Sequence, residues 1–196
     1  MVKPKSKLFI LLAFFMALMV VASNFLVQFP IKYLELQNML TYGAFSYPVT
    51  FLITDLANRR YGKNEARKIV YIGFFLGIFL TLFFSTNFDD LISIRIAIGS
   101  GTAFLVAQLI DVQIFDKLRR KEWFIAPFVS SLAGSFIDTL LFFSISFYKT
   151  SLPWLSLALG DFTVKILMAI IMLIPFRMLL KKISDVPQPS ARTSIN

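Results

Sequence analysis

The chain has 196 residues, of which 57% are hydrophobic and only 16% are charged, whereas soluble domains carry about 25% charged residues. Its mean hydropathy of +0.74 and its 23 phenylalanines exceed what a soluble core requires, but a bilayer demands apolar side chains on the lipid-facing surface as well. The absence of Cys and His excludes disulfides and thiolate metal sites and removes the usual metal ligand and general base, so we expect neither a metal nor a cofactor.

Six apolar stretches separated by short charged segments predict an all-α integral membrane protein with six transmembrane helices. Most of them reach the roughly 20 residues that cross about 30 Å of hydrocarbon. The second stretch is short and contains Pro48, so we expect it to be irregular or shielded by its neighbours. Residues 1–184 should form one transmembrane domain, followed by a polar, proline-rich tail at 185–196 that is predicted to be disordered. The predicted helices are 8–29, 43–58, 67–86, 93–115, 123–148 and 153–180.

Lysine and arginine concentrate in alternate loops, which is the pattern that marks cytoplasmic segments. Sixteen of the 20 basic residues fall near the N-terminus, at 59–68, at 117–121 and in the C-terminal segment, whereas only Lys32 and Lys149 fall in the other loops. This distribution predicts that both termini are cytoplasmic, and that the net charge of +9 reflects topology and not nucleic-acid binding. The first apolar run extends through Phe29, longer than the core of a secretory signal, so we expect an uncleaved helix.

Ionisable residues inside the predicted helices are the first candidates for function, because each is costly at bilayer depth unless it is paired or hydrated. Four of them are acidic and two are basic, so at least two carboxylates have no partner among them. Those carboxylates must be protonated, reach the cytoplasmic arginines, or meet a ligand that is cationic or donates hydrogen bonds. The six residues are Asp55, Arg95, Asp111, Asp138, Asp161 and Lys165.

Structural roles compete with function for several of these residues. Asp161 and Lys165 are four positions apart on one helix face and can form a salt bridge. Asp55 can pair with the arginine one turn further on, and Asp111 can pair with an arginine of a loop. Asp138 lies near the middle of the fifth predicted helix and has no cation nearby in the sequence. We therefore favour Asp138 as the carboxylate that reads a ligand.

Three uncharged residues complete the candidate site. Asn24 and Gln108 carry amides that are costlier to bury than hydroxyls, which favours them as ligand-binding groups. For the serines and threonines around them, ordinary interhelical hydrogen bonding is the simpler interpretation. Tyr47 stands beside Pro48, where a helix break would allow its ring to stack on a planar ligand.

Several segments together resemble the queuosine precursor transporter family, also called the vitamin uptake transporter family. The combination of TDL, LIDV, IDT and DFTVK is specific, and the resemblance runs from about residue 20 to 180. It implies a bacterial inner-membrane protein that imports a deazaguanine, such as the cyano or aminomethyl precursor of queuosine. It also implies that the candidates other than Tyr47 are the family's intramembrane polar positions. Family members often carry a histidine where this chain has Gln113, so a proton-coupling role of that histidine is not available here. The matching segments are 22–30, 43–62, 95–119, 126–143 and 161–167.

The candidate residues suit such a ligand by their chemistry alone. A carboxylate can accept two hydrogen bonds from the ring N–H and the exocyclic amine of a guanine-like edge. Amides or cations suit the neighbouring carbonyl, and an aromatic ring suits the flat heterocycle, although other purines and vitamins would fit as well.

We therefore predict a multi-pass transporter and not an enzyme, with a small-molecule substrate. One alternative is a substrate-binding subunit of a multi-component vitamin or purine uptake system, which needs a separate energising module. Another is a membrane-embedded aspartyl hydrolase that uses Asp138 and Asp161.

Overall fold

The computed structural model describes residues 7–31, 40–84, 86, 88–180 and 182. These residues form seven helices, and their only β-pairing is an isolated bridge between Pro30 and Thr41. The predicted tail at 185–196 lies outside the described residues. The helices are α1 (Lys7–Leu26), α2 (Gly43–Ser46), α3 (Pro48–Tyr61), α4 (Lys63–Phe84), α5 (Leu91–Leu118), α6 (Ile125–Phe147) and α7 (Trp154–Leu180).

Five of these helices, α1, α4, α5, α6 and α7, are long and apolar enough to cross a membrane. They confirm the prediction of an all-α, multi-pass membrane protein, and their ends lie within about four residues of those expected, as is usual for helix boundaries. The predicted second helix differs, because it is divided into α2 and α3 at Tyr47. Pro48 has no N–H to continue the hydrogen-bond ladder and instead occupies the first turn of α3.

Helix α3 lies at the centre of the helix bundle and packs against α1, α4, α5, α6 and α7. Nine of its 14 residues are buried, including the polar Thr50, Thr54, Asp55 and Asn58. Protein therefore surrounds α3 on most sides, and its polar side chains find partners there and not in lipid. This environment explains how a helix that is less apolar than its neighbours can sit among them.

Segment α2–α3 runs antiparallel to α1 along nearly its whole length. At one end Gly43 approaches Val27 so closely that an added Cβ would lie 2.9 Å from the Val27 Cα. At the other end the rings of Phe9 and Tyr61 meet edge to face, with centroids 5.9 Å apart. The two short helices together thus extend across the same depth as α1, although neither does so alone.

The most extensive helix pair is α5 with α6, which a glycine allows to approach closely. A Cβ at Gly99 would overlap the Oγ of Ser146 on α6, which is the close packing through small residues that is common between membrane helices. The outward faces carry large apolar side chains such as Phe75, Phe83 and Ile174, each 65% exposed or more. Such a surface suits contact with lipid chains.

Candidate functional site

A polar cavity of about 30 Å³ lies between α1, α2–α3, α5, α6 and α7. Five of the nine residues predicted for the site line it, and they come from four different parts of the chain. Sequence reasoning did not single out Ser23 or Ser100, which also line it. The polar lining consists of Ser23, Asn24, Tyr47, Ser100, Asp138, Asp161 and Lys165.

At the centre of this cavity Lys165 binds two carboxylates at once. Its Nζ lies 2.5 Å from Asp161 Oδ2 and 2.7 Å from Asp138 Oδ2, and all three side chains are almost fully buried. The predicted Asp161–Lys165 pair is therefore confirmed. Asp138 has no cation nearby in the sequence, but the fold supplies one, because α6 and α7 pack against each other and bring Lys165, 27 positions away, into contact with it.

The hydroxyl of Thr139 completes this polar cluster. It donates to Asp161 Oδ2 at 2.7 Å and accepts a hydrogen bond from Lys165 Nζ at 3.2 Å. Thr139 follows Asp138 directly and is the last residue of the IDT motif, and these two signals could have identified it. The two carboxylates and one ammonium leave a formal charge of −1, so the cavity suits a ligand that offers hydrogen-bond donors.

Tyr47 forms one wall of the cavity from the junction of α2 and α3. Its ring centroid lies 5.0 Å from Lys165 Nζ, which is the arrangement of a cation–π contact. Phe51 and Phe104 pack edge to face against the same ring, with centroids 6.0 and 6.4 Å away, and hold it in place. Its buried hydroxyl lies beside the Asp138 carboxylate but makes no hydrogen bond of ordinary length to any described residue.

Asn24 connects three helices at the opposite wall. Its amide nitrogen donates to Thr81 Oγ1 on α4 at 2.9 Å, and its amide oxygen accepts from Ser100 Oγ on α5. Asn24 also borders an apolar cavity of about 270 Å³ between α4 and α5. The residue therefore separates the small charged cavity from a larger apolar one.

Two other predicted residues lie outside the charged cavity and connect helices. Gln108 on α5 donates to Thr50 Oγ1 at 2.8 Å and accepts from Thr54 Oγ1, so it attaches α5 to the central helix α3. Arg95 is half-buried and donates to the carbonyls of Ile145 and Tyr148 at 2.8–3.0 Å. Those carbonyls end α6, where a cation is electrostatically favourable.

The remaining two predicted residues, Asp55 and Asp111, come together below the cavity as a second acidic site. Asp55 accepts hydrogen bonds from Ser130 Oγ at 3.2 Å and from Ser131 Oγ at 3.3 Å. Asp111 is fully buried and lies near enough to Asp55 and Ser130 to interact with both. Neither of its carboxylate oxygens has a hydrogen-bond partner among the described residues.

The arginines that could have neutralised these acids bind other groups. Arg59 donates to the carbonyl of Arg119 at 2.9 Å, and Arg119 binds Asn58. The suggested pairing of Asp55 with Arg59 is therefore wrong, and so is the pairing of Asp111 with a loop arginine. The charge count had required that at least two intramembrane carboxylates lack a basic partner, and within the described chain they are Asp55 and Asp111.

Several long apolar helices around a small, charged, buried cavity define a multi-pass membrane protein of the transporter class. Residues 41–180 match the family described as "Putative vitamin uptake transporter". The chain belongs to that family, whose members are transporters and not enzymes. The hydrolase alternative is thereby set aside.

Similar proteins extend over most of the chain. The protein named "Probable queuosine precursor transporter" from Haemophilus influenzae is 34% identical, over 88% of this chain and 86% of that protein. The "Queuosine precursor transporter" from Escherichia coli is 33% identical over 89% of each. A "Probable queuosine precursor transporter" from Bacillus subtilis is 28% identical over 72% of each. No solved structure matches the chain.

Proposed function

We propose that this protein imports a queuosine precursor, a cyano- or aminomethyl-deazaguanine, across the bacterial inner membrane, and that the cavity around Lys165 binds it. The observation that carries the proposal is the buried cluster in which one lysine bridges Asp138 and Asp161 beside the ring of Tyr47. Such a site combines spare acceptors, a flat aromatic wall and a net negative charge. The names of the relatives support the same substrate.

The cluster can read the donor edge of a guanine-like base without losing its own ion pair. The bonds of both carboxylates converge on their Oδ2 atoms, which leaves Oδ1 of each for a ligand. If a ring N–H and an exocyclic amine take both oxygens of Asp138, Lys165 can remain with Asp161. The Tyr47 hydroxyl makes no hydrogen bond of ordinary length to a described residue, and it can donate to the ring carbonyl of the substrate.

The cavity must widen to accept such a ligand. It measures about 30 Å³, whereas pockets for small molecules measure about 300–1,000 Å³. The lining residues come from several helices, so separating α1 and α2–α3 from α6 and α7 would enlarge it. Closure of those helices around a bound substrate would place the base between Tyr47 and Asp138.

The proposal includes six crossings with both termini in the cytoplasm. Segment α2–α3 supplies the sixth crossing, since it extends from Val27 to Phe9 beside α1. In this proposal Arg59 and Arg119, which contact each other at one end of the bundle, face the cytoplasm, in line with the positive-inside rule. The acidic site of Asp55 and Asp111 lies on that side of the substrate cavity.

Ligand binding to the purified protein tests the substrate site. Thermal stability should rise with the cyano- and aminomethyl-deazaguanines, because a ligand that binds only the folded state stabilises it. Asp138→Asn replaces an acceptor oxygen with a donor that opposes a ligand donor, at a cost of about 2–4 kcal/mol and thus roughly a 30-fold or larger loss of affinity. Asp116→Asn, on α5 and partly exposed, is the matched control and should bind normally.

An analogue without the exocyclic amine separates recognition from indirect effects. The native protein should bind this analogue much more weakly than the parent base. In Asp138→Asn the loss of the ligand's amine should reduce affinity far less. An equal cost in both proteins would show that Asp138 does not read the amine edge.

The alternative that the chain is only the binding subunit of a larger uptake system makes a distinct prediction. Uptake by the purified chain alone in liposomes would exclude that alternative. Normal binding without uptake in the same vesicles would favour it.

A further inference from the structure

Asp55 and Asp111 form a buried acidic site that the proposed substrate does not reach. Neither residue lines the cavity around Lys165, yet Asp55 is 2% exposed and Asp111 is fully buried. Asp111 makes no hydrogen bond of ordinary length to a described residue, although Asp55 and the Ser130 hydroxyl lie near enough to interact with its charge. Two buried carboxylates close to each other carry a large electrostatic cost while both are charged, so the site favours binding something positive.

We propose that Asp55 and Asp111 bind one proton between them, and that its uptake and release couple substrate import to the proton gradient. This inference rests on the proposed transport function. In the loaded site the two carboxylates share one proton, and the formal charge changes from −2 to −1. On release, the proton leaves from either oxygen pair to water on the cytoplasmic side, with no bond to the substrate formed or broken.

The surroundings favour a proton over a metal cation. Ser130 and Ser131 donate their hydroxyl hydrogens to Asp55, whereas a cation would require their lone pairs to face the site. The cavity beside Asp55 and Ser131 measures about 10 Å³, roughly the space of a single water. The described residues contain no group of three or more acidic side chains that could hold a metal ion.

Among the described residues, no ion pair joins Asp55 or Asp111 to a basic side chain. From α7 the site meets apolar side chains such as Ala169 and Phe176. From α4 Arg67 donates to Gln113 at 3.2 Å. The one titratable residue of α1 in the described chain is Lys7, at its first position. The polar side chains that α6 brings to Asp55 are the hydroxyls of Ser130 and Ser131, which carry no charge. A proton is therefore the simplest positive charge for the site.

The geometry also explains how the two sites could communicate. Ser131 precedes Asp138 by seven residues on α6, which is about 10 Å of helix, and Asp55 follows Tyr47 by eight residues, about 12 Å, across α2–α3. The same segments therefore carry both sites. A movement of α6 relative to α3 that opens the substrate cavity also changes the contact between the serines and Asp55. Substrate binding and proton binding therefore each change the affinity of the other site.

The first test reads the proton directly and needs no substrate. Infrared difference spectra between acidic and alkaline buffer are compared for the full chain in liposomes. The native protein and the Asp116→Asn control should show a titrating carboxyl band that Asp55→Asn and Asp111→Asn lose or strongly reduce. Asp116 is a suitable control because it lies on the same helix as Asp111 but is partly exposed and 3.8 Å from Arg119 Nε. Unchanged spectra in both test variants would overturn the proton site, whatever the protein transports.

The second test measures whether substrate uptake is coupled to the proton gradient. Uptake of a labelled deazaguanine should rise by roughly tenfold under an inward proton gradient, and a sodium gradient should have no effect. Asp111→Asn should bind substrate and exchange internal for external substrate, but its uptake should not respond to the gradient. Uptake driven by sodium, or by protons in Asp111→Asn, would overturn the coupling. Failure to bind any deazaguanine would overturn the proposed substrate alone, because the infrared result decides the proton site independently.

Discussion

Lys165 Nζ lies 2.7 Å from Asp138 Oδ2, across the interface between α6 and α7, and the two residues are 27 positions apart. The same nitrogen lies 2.5 Å from Asp161 Oδ2 on its own helix. One buried cation thus compensates two buried carboxylates and connects two helices. Replacing Lys165 leaves both carboxylates without compensation, whereas replacing either aspartate leaves one ion pair intact.

Lys165→Ala should be the most destabilising single substitution in this cluster. It leaves two facing carboxylates buried, and breaking a buried pair in this way costs about 3–5 kcal/mol. The double variant with Asp161→Asn should melt at a higher temperature than Lys165→Ala alone, and the triple variant with Asp138→Asn higher still. Melting temperatures of the purified proteins measure this series. A double variant whose loss equals the sum of the two single losses would show that the residues are not coupled.

The second prediction concerns topology, and the lack of native Cys makes it simple to measure. Asp89 precedes α5 and Lys121 follows it, and both are exposed. The 28 residues of α5 extend about 42 Å, enough to separate these positions across a bilayer. Asp89→Cys should react with an impermeant reagent from outside intact cells, and Lys121→Cys only after permeabilisation. The opposite pattern would invert the proposed orientation.

The long apolar helices were predictable because their runs of lipid-facing side chains exceed the thickness of a bilayer. Segment α2–α3 was harder, since a helix enclosed by protein needs no apolar surface. The sequence showed it as a short apolar stretch, and Pro48 indicated that it would be irregular or shielded by its neighbours. Its polar residues find partners on neighbouring helices, Thr54 on α5 and Asp55 on α6, and Thr54 also donates to the carbonyl of Thr50.

The candidate site was predictable to the extent that it depends on spacing within one helix. Asp161 and Lys165 share a face because they are four residues apart. The contact between Lys165 and Asp138 and the proximity of Asp111 to Asp55 depend on how helices are rotated and aligned against each other, which spacing along one chain does not determine. The charge count showed that two carboxylates would lack a basic partner, but it could not show which two.

Arg95 should contribute to stability and not to substrate affinity. Its guanidinium holds two carbonyls at the end of α6 through three hydrogen bonds, and a lysine cannot reproduce that planar fork. Both Arg95→Lys and Arg95→Gln should lower the melting temperature, with the loss on the order of 1–3 kcal/mol for bonds to a charged donor. Substrate affinity per folded molecule should stay within about threefold of the native value, a difference below 1 kcal/mol. A much larger loss of affinity at unchanged stability would place Arg95 in the substrate site.

Gln108 provides a similar test at the centre of the bundle. Gln108→Met keeps the length of the side chain but removes its bonds to Thr50 and Thr54. Both threonines also donate to carbonyls of their own segment, at 2.7 and 3.0 Å, so neither is left without a partner. We expect a modest loss of stability of about 1–2 kcal/mol and unchanged affinity. Loss of binding without loss of stability would show that Gln108 contacts the substrate after all.

The last prediction concerns the Tyr47 hydroxyl, which is buried beside Asp138 without a hydrogen bond of ordinary length. An unsatisfied buried polar group lowers stability by about 1–3 kcal/mol, so Tyr47→Phe should melt at the same temperature as the native protein or higher. If the hydroxyl donates to the substrate carbonyl, affinity should fall by about 3- to 10-fold, the value of one hydrogen bond. Tyr47→Leu also removes the ring that lies 5.0 Å from Lys165 Nζ and should lose more. Tyr71→Phe, at an exposed position on α4, controls for the loss of a hydroxyl elsewhere. Native affinity in Tyr47→Phe would show that this hydroxyl does not bind the substrate, and the carbonyl would then have to be read by Lys165 or Asn24.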